Sequence, residues 1–429
     1  MSESLDDWGG AEFVLAADRL DTPDVIEAAD PGDMLRQVAS SAAQVRTALL
    51  SCQETDLSAF TPDARPRAIV VAGLGGSGLA GEMLSAVTGP SSPVQIVATQ
   101  AERLPGWVGA ADAVIAVSAS GTTAETLAVA TEAARRGCRL AGVGAKGSAL
   151  HRIAEQARAP FIPAVAAGPP GSILPRSMLW ALAVPLLVIA ERLGVARVGP
   201  EVYEQAARRL EEVSHQCRPA SESFVNPGKS LALDLVGTLP VVWGTSALSG
   251  VAARRFAAQL SDNAKYPAIV GLLPEAAHNQ IAAFDGPFGP AARPAPGEPG
   301  GTAAPLTPPT SPSPFSEAAE TLSGLPDLSS WDLDYEDERP ARGFTPLRLV
   351  LIVDPGQEQR VAAQQRAVAE LAAQRGLGLS ELAMDDEHPL VRLAGVVQLA
   401  DYASVYLAIA SGIDPSQTAV VTDLQARIE

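Results

Sequence analysis

Ala68-Ile69-Val70-Val71-Ala72-Gly73-Leu74-Gly75-Gly76-Ser77-Gly78 is the stretch on which the reading of this chain turns. A run of five apolar residues ends in a loop of Gly and Ser, and an alanine-containing helical pattern follows. The arrangement returns after Ala113-Val114-Ile115-Ala116-Val117, which leads into Ser118-Ala119-Ser120-Gly121-Thr122-Thr123-Ala124-Glu125-Thr126. A buried strand, a hydroxyl-bearing loop and a helix start recur in the same order. Backbone N–H groups at helix starts point outward, and Ser or Thr hydroxyls beside them complete a cradle for phosphate. Gly76, Ser77, Ser118, Ser120 and Thr123 are the candidate phosphate-binding positions.

Gly73, Gly75 and Gly78 also satisfy the dinucleotide fingerprint G-x-G-x-x-G between a strand and a helix. That fingerprint calls for an acidic residue at the end of the second strand, to hold a ribose. The second strand, near Val94–Ala98, ends in Thr99 and Gln100, with Glu102 only close by. A dinucleotide also leaves the second hydroxyl loop without a role. A phosphorylated small molecule accounts for both loops.

Composition narrows the class. A chain of 429 residues exceeds one core, so two domains are expected. No apolar run approaches the roughly 20 residues that span a bilayer. The start, Met1-Ser2-Glu3-Ser4-Leu5-Asp6-Asp7, is acidic and unlike a secretory signal. Cys52, Cys138 and Cys217 have no metal-like spacing and read as reduced packing thiols, so a cytoplasmic setting is expected. With four histidines in the chain, a His/Cys metal site is not expected, nor is any cofactor. A net charge of −18 argues against a nucleic-acid partner.

The pattern along the chain predicts an α/β protein with two doubly wound parallel sheets. Residues 1–60 are helical, with Met34, Leu35, Val38, Ala42, Val45 and Leu49 on one face. Residues 61–195 form the first unit, with strands near 68–72, 94–98, 113–117, 139–143 and 161–162 and a long apolar helix over 175–193. Residues 196–429 form the second. It holds a strand at Pro240-Val241-Val242-Trp243, a Gly-Thr-Ser loop at 244–246, a strand at 349–353 and helices over 358–375 and 390–410. Residues 285–342 are rich in Pro, Gly, Ala, Ser and Thr, too poor in apolar groups to offset the entropy of ordering. They read as a disordered insertion.

Further residues add a family resemblance. Pro175-Arg176 precedes a helix. Arg255-Phe256-Ala257-Ala258-Gln259-Leu260-Ser261-Asp262-Asn263-Ala264-Lys265 runs on to Pro274-Glu275-Ala276-Ala277-His278-Asn279. Leu399-Ala400-Asp401-Tyr402 is followed by Gly412-Ile413-Asp414-Pro415. With the two hydroxyl loops, this set resembles the bifunctional phosphoglucose/phosphomannose isomerase family, whose subunits carry two sugar isomerase (SIS) domains. The likeness covers most of the chain outside the insertion.

The resemblance implies aldose–ketose isomerisation of hexose 6-phosphates (glucose 6-phosphate or mannose 6-phosphate to fructose 6-phosphate) through an enediolate. It also implies a homodimer with a shared active site. Ser77, Ser118, Ser120 and Thr123 match the phosphate-binding hydroxyls, Arg176 the arginine that stabilises the enediolate, and His278 a ring-opening histidine contributed by the neighbouring subunit. Two catalytic positions depart from the family. Its proton-transfer base is a glutamate where this chain has Asp262, and its closing lysine stands where this chain has Gln425. Thr122 replaces the asparagine usual in the hydroxyl loop. These changes keep a second reading open, a sugar-phosphate-binding SIS protein of reduced catalytic power that acts as sensor or assembly partner. Which hexose phosphate binds is not legible in the sequence.

Overall fold

The computed structural model describes residues 15–165, 173–290 and 345–428. Of the expected insertion, 285–342, residues 291–342 lie outside the described residues. A 3-10 helix, Ile281–Asp285, leads up to it, and the Phe288 carbonyl accepts from Leu347 N–H at 2.8 Å.

Two all-parallel sheets carry the fold. The first contains β1 (Ala68–Ala72), β2 (Gln95–Thr99), β3 (Ala113–Ser118), β4 (Arg139–Gly144) and β5 (Phe161–Pro163), in the order β2-β1-β3-β4-β5. The second contains β6 (Leu239–Gly244), β7 (Ile269–Leu272), β8 (Leu347–Val353) and β9 (Gly378–Ala383), in the order β7-β6-β8-β9. Parallel neighbours need long crossovers, and helices supply them. The strand order reverses in both sheets, beside β1 in one and β6 in the other. In such sheets the crevice for a ligand opens at the carboxyl ends of the strands flanking the reversal. Those strands are β1 and β3 in the first sheet, and each is followed by one of the hydroxyl loops.

Strands β1, β3 and β4 read as continuous apolar runs because helices cover both faces. One face of each sheet packs on a common layer of helices. Ile69, Val71 and Ile115 from the first sheet share a buried cluster with Val242, Val350 and Ile352 from the second. Helices Ser41–Glu54, Gly76–Thr88, Leu179–Arg192, Pro200–Gln216, Ala247–Gln259 and Pro389–Ala410 fill the space between. Outer faces are covered separately, by helices Ala124–Arg135 and Ala149–Gln156 on the first sheet and Gln359–Gln374 on the second. The molecule is therefore five layers deep.

Met34, Leu35, Val38, Ala42 and Val45 are buried in the central layer, as their spacing predicts. Pro389–Ala410 has the length and hydropathy of a membrane span. It is buried among the other helices, and Asp401 in its middle is ion-paired.

Two differences from the sequence reading have local causes. The helix expected over 175–193 is a 3-10 turn, Pro175–Ser177, followed by a helix from Leu179 to Arg192. Strand β7 has no expected counterpart. It is four residues long, lies at a sheet edge, contains Gly271 and exposes Ile269 and Leu272, so neither alternation nor a solid apolar run marks it.

All three cysteines are free and buried. Burial pushes the thiols of Cys52 and Cys217 up to about 12 and raises that of Cys138 as well. The thiolate is the reactive form. At pH 8 the native chain is therefore expected to release less than about one equivalent of thionitrobenzoate from Ellman's reagent over minutes, and about three in guanidinium. Rapid labelling of the native chain contradicts this burial.

Candidate active site

The loop after β3 is ordered by its own hydroxyls. Ser118, the last residue of β3, is buried, and its Oγ lies 2.9 Å from Thr123 Oγ1 and 3.5 Å from Ser120 Oγ. Gly121 N–H donates to Ser118 Oγ at 3.0 Å, and Thr122 N–H to Ser120 Oγ at 3.2 Å. Gly121 has φ 67°, and a Cβ there would run into the Ser148 side chain. Ser120 is exposed at the rim, while Thr123 precedes the Ala124–Arg135 helix as its N-cap.

Across the reversal, the Gly76–Thr88 helix starts directly after β1. Its first amide, Gly76 N–H, has no acceptor among the described residues, as an anion-binding helix start requires. Gly73 is held to glycine by crowding, since a Cβ would lie 2.9 Å from the carbonyl oxygen of Val117. Ser77 is buried beside it. Strand β2 ends in Thr99, and Glu102 instead lines a surface groove with Arg103, Glu132 and Arg136. No carboxylate closes β2 in the way a dinucleotide ribose needs.

A second cluster gathers residues distant in sequence. Arg176, on the Pro175–Ser177 turn, donates from Nη2 to the Pro415 carbonyl at 2.5 Å. Burial pushes its guanidinium below the usual range, against the opposing charges of Asp262 and Asp414. Asp262 lies on a π-helical turn, Leu260–Ala264, at the end of the Ala247–Gln259 helix. Its carboxylate is exposed and has no hydrogen-bond partner among the described residues. Lys265 closes that turn in the left-handed region, φ 61°. Its Nζ donates to the Asp262 carbonyl and, at 2.9 Å, to that of Gln417. Burial lowers the Lys265 pKa, with Arg176 adding to the effect and Asp262 and Asp414 opposing it. Lys265 thus ties Gln417 to the turn that bears Asp262, while Arg176 holds the neighbouring Pro415 from the Pro175–Ser177 turn. An exposed carboxylate in one cluster with a desolvated guanidinium supplies the groups that proton shuttling and oxyanion stabilisation need.

Residues 224–428 match the family model of the bacterial phospho-glucose isomerase C-terminal SIS domain. The resemblance is to bacterial phosphoglucose isomerases. Bifunctional phosphoglucose/phosphomannose isomerases are among the similar proteins. That of Caldicellulosiruptor bescii is 28% identical over 219 residues, 51% of this chain and 63% of its own length. That of Aquifex aeolicus is 29% identical over 224 residues, 52% of this chain and 63% of its own length. These alignments span less than two thirds of the curated relatives. The fold likeness runs further: a hypothetical protein of Thermus thermophilus superposes with a TM-score of 0.62 over 98% of this chain and 95% of its own, at 14% identity.

The second sheet carries a different arrangement at its reversal point. Its loops after β6 and β8 occupy the positions that the loops after β1 and β3 hold in the first sheet. There Ser246 Oγ donates to Asp354 Oδ2 at 2.5 Å, and Asp354 N–H donates to Thr245 Oγ1 at 3.0 Å. Arg392 lies 3.2 Å from Asp354 Oδ1. Asp354 is buried and stands immediately after β8, where the first sheet has Ser118 at the end of β3. A carboxylate of the chain thus bridges the two loops and takes the Ser246 hydroxyl as donor.

His278 is on the short Ala276–Asn279 helix beyond β7. Its side chain is exposed, and its ring has no hydrogen-bond partner among the described residues. No contact within the chain joins it to Arg176 or Asp262 among the described residues. Gln425 falls on the last helix, Ala419–Ile428, which follows the segment held by Arg176 and Lys265. His388 is a helix cap, its Nδ1 accepting from Leu390 N–H at 3.1 Å. The membership of Lys265 and Asp414 in the Arg176 cluster is not legible in the sequence. A signal is present in the Asn-Ala-Lys and Ile-Asp-Pro motifs, but nothing local says that they meet.

Proposed function

We propose that this chain isomerises a hexose 6-phosphate between aldose and ketose forms through an enediolate. The observation that carries the reading is the gathering of Arg176 and the Asp262 turn around residues 415–417, in a chain whose SIS-type hydroxyl loop has its own hydroxyls hydrogen-bonded together. The phosphate lies between Gly76, Ser77 and the hydroxyls of Ser118, Ser120 and Thr123. Asp262 takes the proton from C2 of the open-chain aldose, and the electron pair moves into the C1–C2 enediolate. Arg176 exchanges its bond to the Pro415 carbonyl for the developing oxyanion. Asp262 then returns the proton to C1 while the O2 hydroxyl proton passes to O1, giving the ketose. One carbon is oxidised as its neighbour is reduced, so the reaction balances without an external oxidant or cofactor.

His278 opens the sugar ring for the partner subunit of a homodimer, a role supported by its exposed ring. The proposed units are 61–195 and 196–429, working in the cytoplasm. Gln425 stands at the position of the family's lysine and carries no charge.

The test combines binding with turnover. Glucose 6-phosphate and mannose 6-phosphate are expected to raise the melting temperature, and free glucose is not. A ligand at about 100 times its Kd contributes about 2.7 kcal/mol of stability. Ser120→Ala with Thr123→Ala should remove the shift. A coupled assay should show fructose 6-phosphate formed. Stabilisation by NAD alone would return the chain to the dinucleotide reading, and binding without turnover would make it a sugar-phosphate sensor.

A further inference from the structure

Arg255 and Asp401 are 2% and 4% exposed and stand 146 residues apart, on the Ala247–Gln259 and Pro389–Ala410 helices. Arg255 Nε and Nη2 donate to the two oxygens of Asp401, each at 2.8 Å. The same Nη2 donates to the backbone carbonyl of Arg176, also at 2.8 Å. A buried ion pair is weak evidence for stability, because desolvation offsets most of the attraction. Its third bond is what sets this pair apart.

Arg176 sits on a single 3-10 turn, which lacks the cooperative hydrogen bonding of a longer helix. The turn is held by buried side chains: Leu174 N–H donates to Gln37 Oε1 at 2.9 Å, and Gln44 Nε2 donates to the Ser177 carbonyl at 2.8 Å. Of these ties, only Arg255 reaches Arg176 itself. We propose that Arg255, fixed by Asp401, is a positioning residue that sets the backbone of Arg176 and thereby aims its guanidinium at the reacting oxygens. The catalytic consequence rests on the isomerase reading; the mechanical one does not.

The experiment uses the full chain. Arg255→Met removes the donors, and Arg255→Met with Asp401→Leu also removes the carboxylate that would otherwise be left buried and unpaired. The double variant keeps the test open if the single one fails to fold. Amide exchange by mass spectrometry should accelerate about 10-fold or more over 173–178, while 73–78 and 118–123 stay as in the wild type. Activity should lose on the order of 100-fold in kcat with KM changed less than about 2-fold, the scale of a group misplaced by about 1 Å. Arg255→Lys should recover part of that loss.

On an Arg176→Met background, adding Arg255→Met should change kcat by less than about 3-fold, because residues acting through one another are not additive. Unchanged exchange over 173–178, or losses that multiply in the double variant, overturn the proposal. A wild-type chain without turnover removes the isomerase reading, and the exchange comparison still decides the positioning.

Discussion

Asp262→Asn is expected to lower kcat by about 10²-fold to 10⁴-fold, the range lost with a general acid–base group, while hexose 6-phosphate binds nearly as before. The amide keeps the shape and cannot accept a proton. Asp262 is suited to this test because its carboxylate has no hydrogen-bond partner among the described residues, so the substitution orphans no neighbour. The hydroxyl loop belongs to the other sheet and is untouched. A stopped-time coupled assay and a binding isotherm for the sugar phosphate separate the two effects.

The same position supports a gain. An aspartate is one methylene shorter than the glutamate of the resembling family, and Gln425 carries no charge. Asp262→Glu with Gln425→Lys should raise turnover by on the order of 10-fold to 1000-fold, spanning a misplaced group and a missing acid. If the wild type is already fast and the double change slows it, the cleft is built around the shorter acid. If both forms bind and neither turns over, the chain is a sugar-phosphate sensor.

The second large effect is on stability. Lys229→Met is expected to cost about 3–5 kcal/mol, the scale of a buried charged group losing its partners. The Lys229 side chain is 1% exposed. Its ammonium donates to the carbonyls of Leu20, Pro219 and Ser221 at 2.5, 2.8 and 2.7 Å and lies 3.6 Å from Asp21. Its Nζ also stands 5.7 Å from the centroid of the Tyr406 ring. One cation thus joins the N-terminal helices to the Pro227–Leu235 helix and the long core helix. Methionine fills the space and leaves three carbonyls without a donor. Urea melts read the change; a loss under about 1 kcal/mol means that water reaches those carbonyls.

Much of the proposed phosphate end of the site is legible in the chain. Ser118, Ser120 and Thr123 lie within six residues, and their hydrogen bonds close inside one loop, so local sequence contains the whole device. The strands beside it are legible because β1, β3 and β4 are solid apolar runs. Strand β7, short and half exposed, is not. Asp354 gives no local signal either, because an Asp before Pro and Gly reads as a turn, and only the fold places it against Ser246, 108 residues away.

The sequence by itself determined two parallel sheets, the hydroxyl loops at the reversal point of the first and the residue types available for proton transfer. These follow from apolar periodicity and turn chemistry, which act over a few neighbouring residues. Tertiary structure alone decided that Arg176 meets Pro415 across 239 residues, that Arg255 and Asp401 hold the Arg176 carbonyl, and that the N-terminal helices join a layer shared by both sheets. Such pairings form only when burial of the common helical layer offsets the entropy of closing long loops. That balance belongs to the whole chain, and no short stretch of it carries the information.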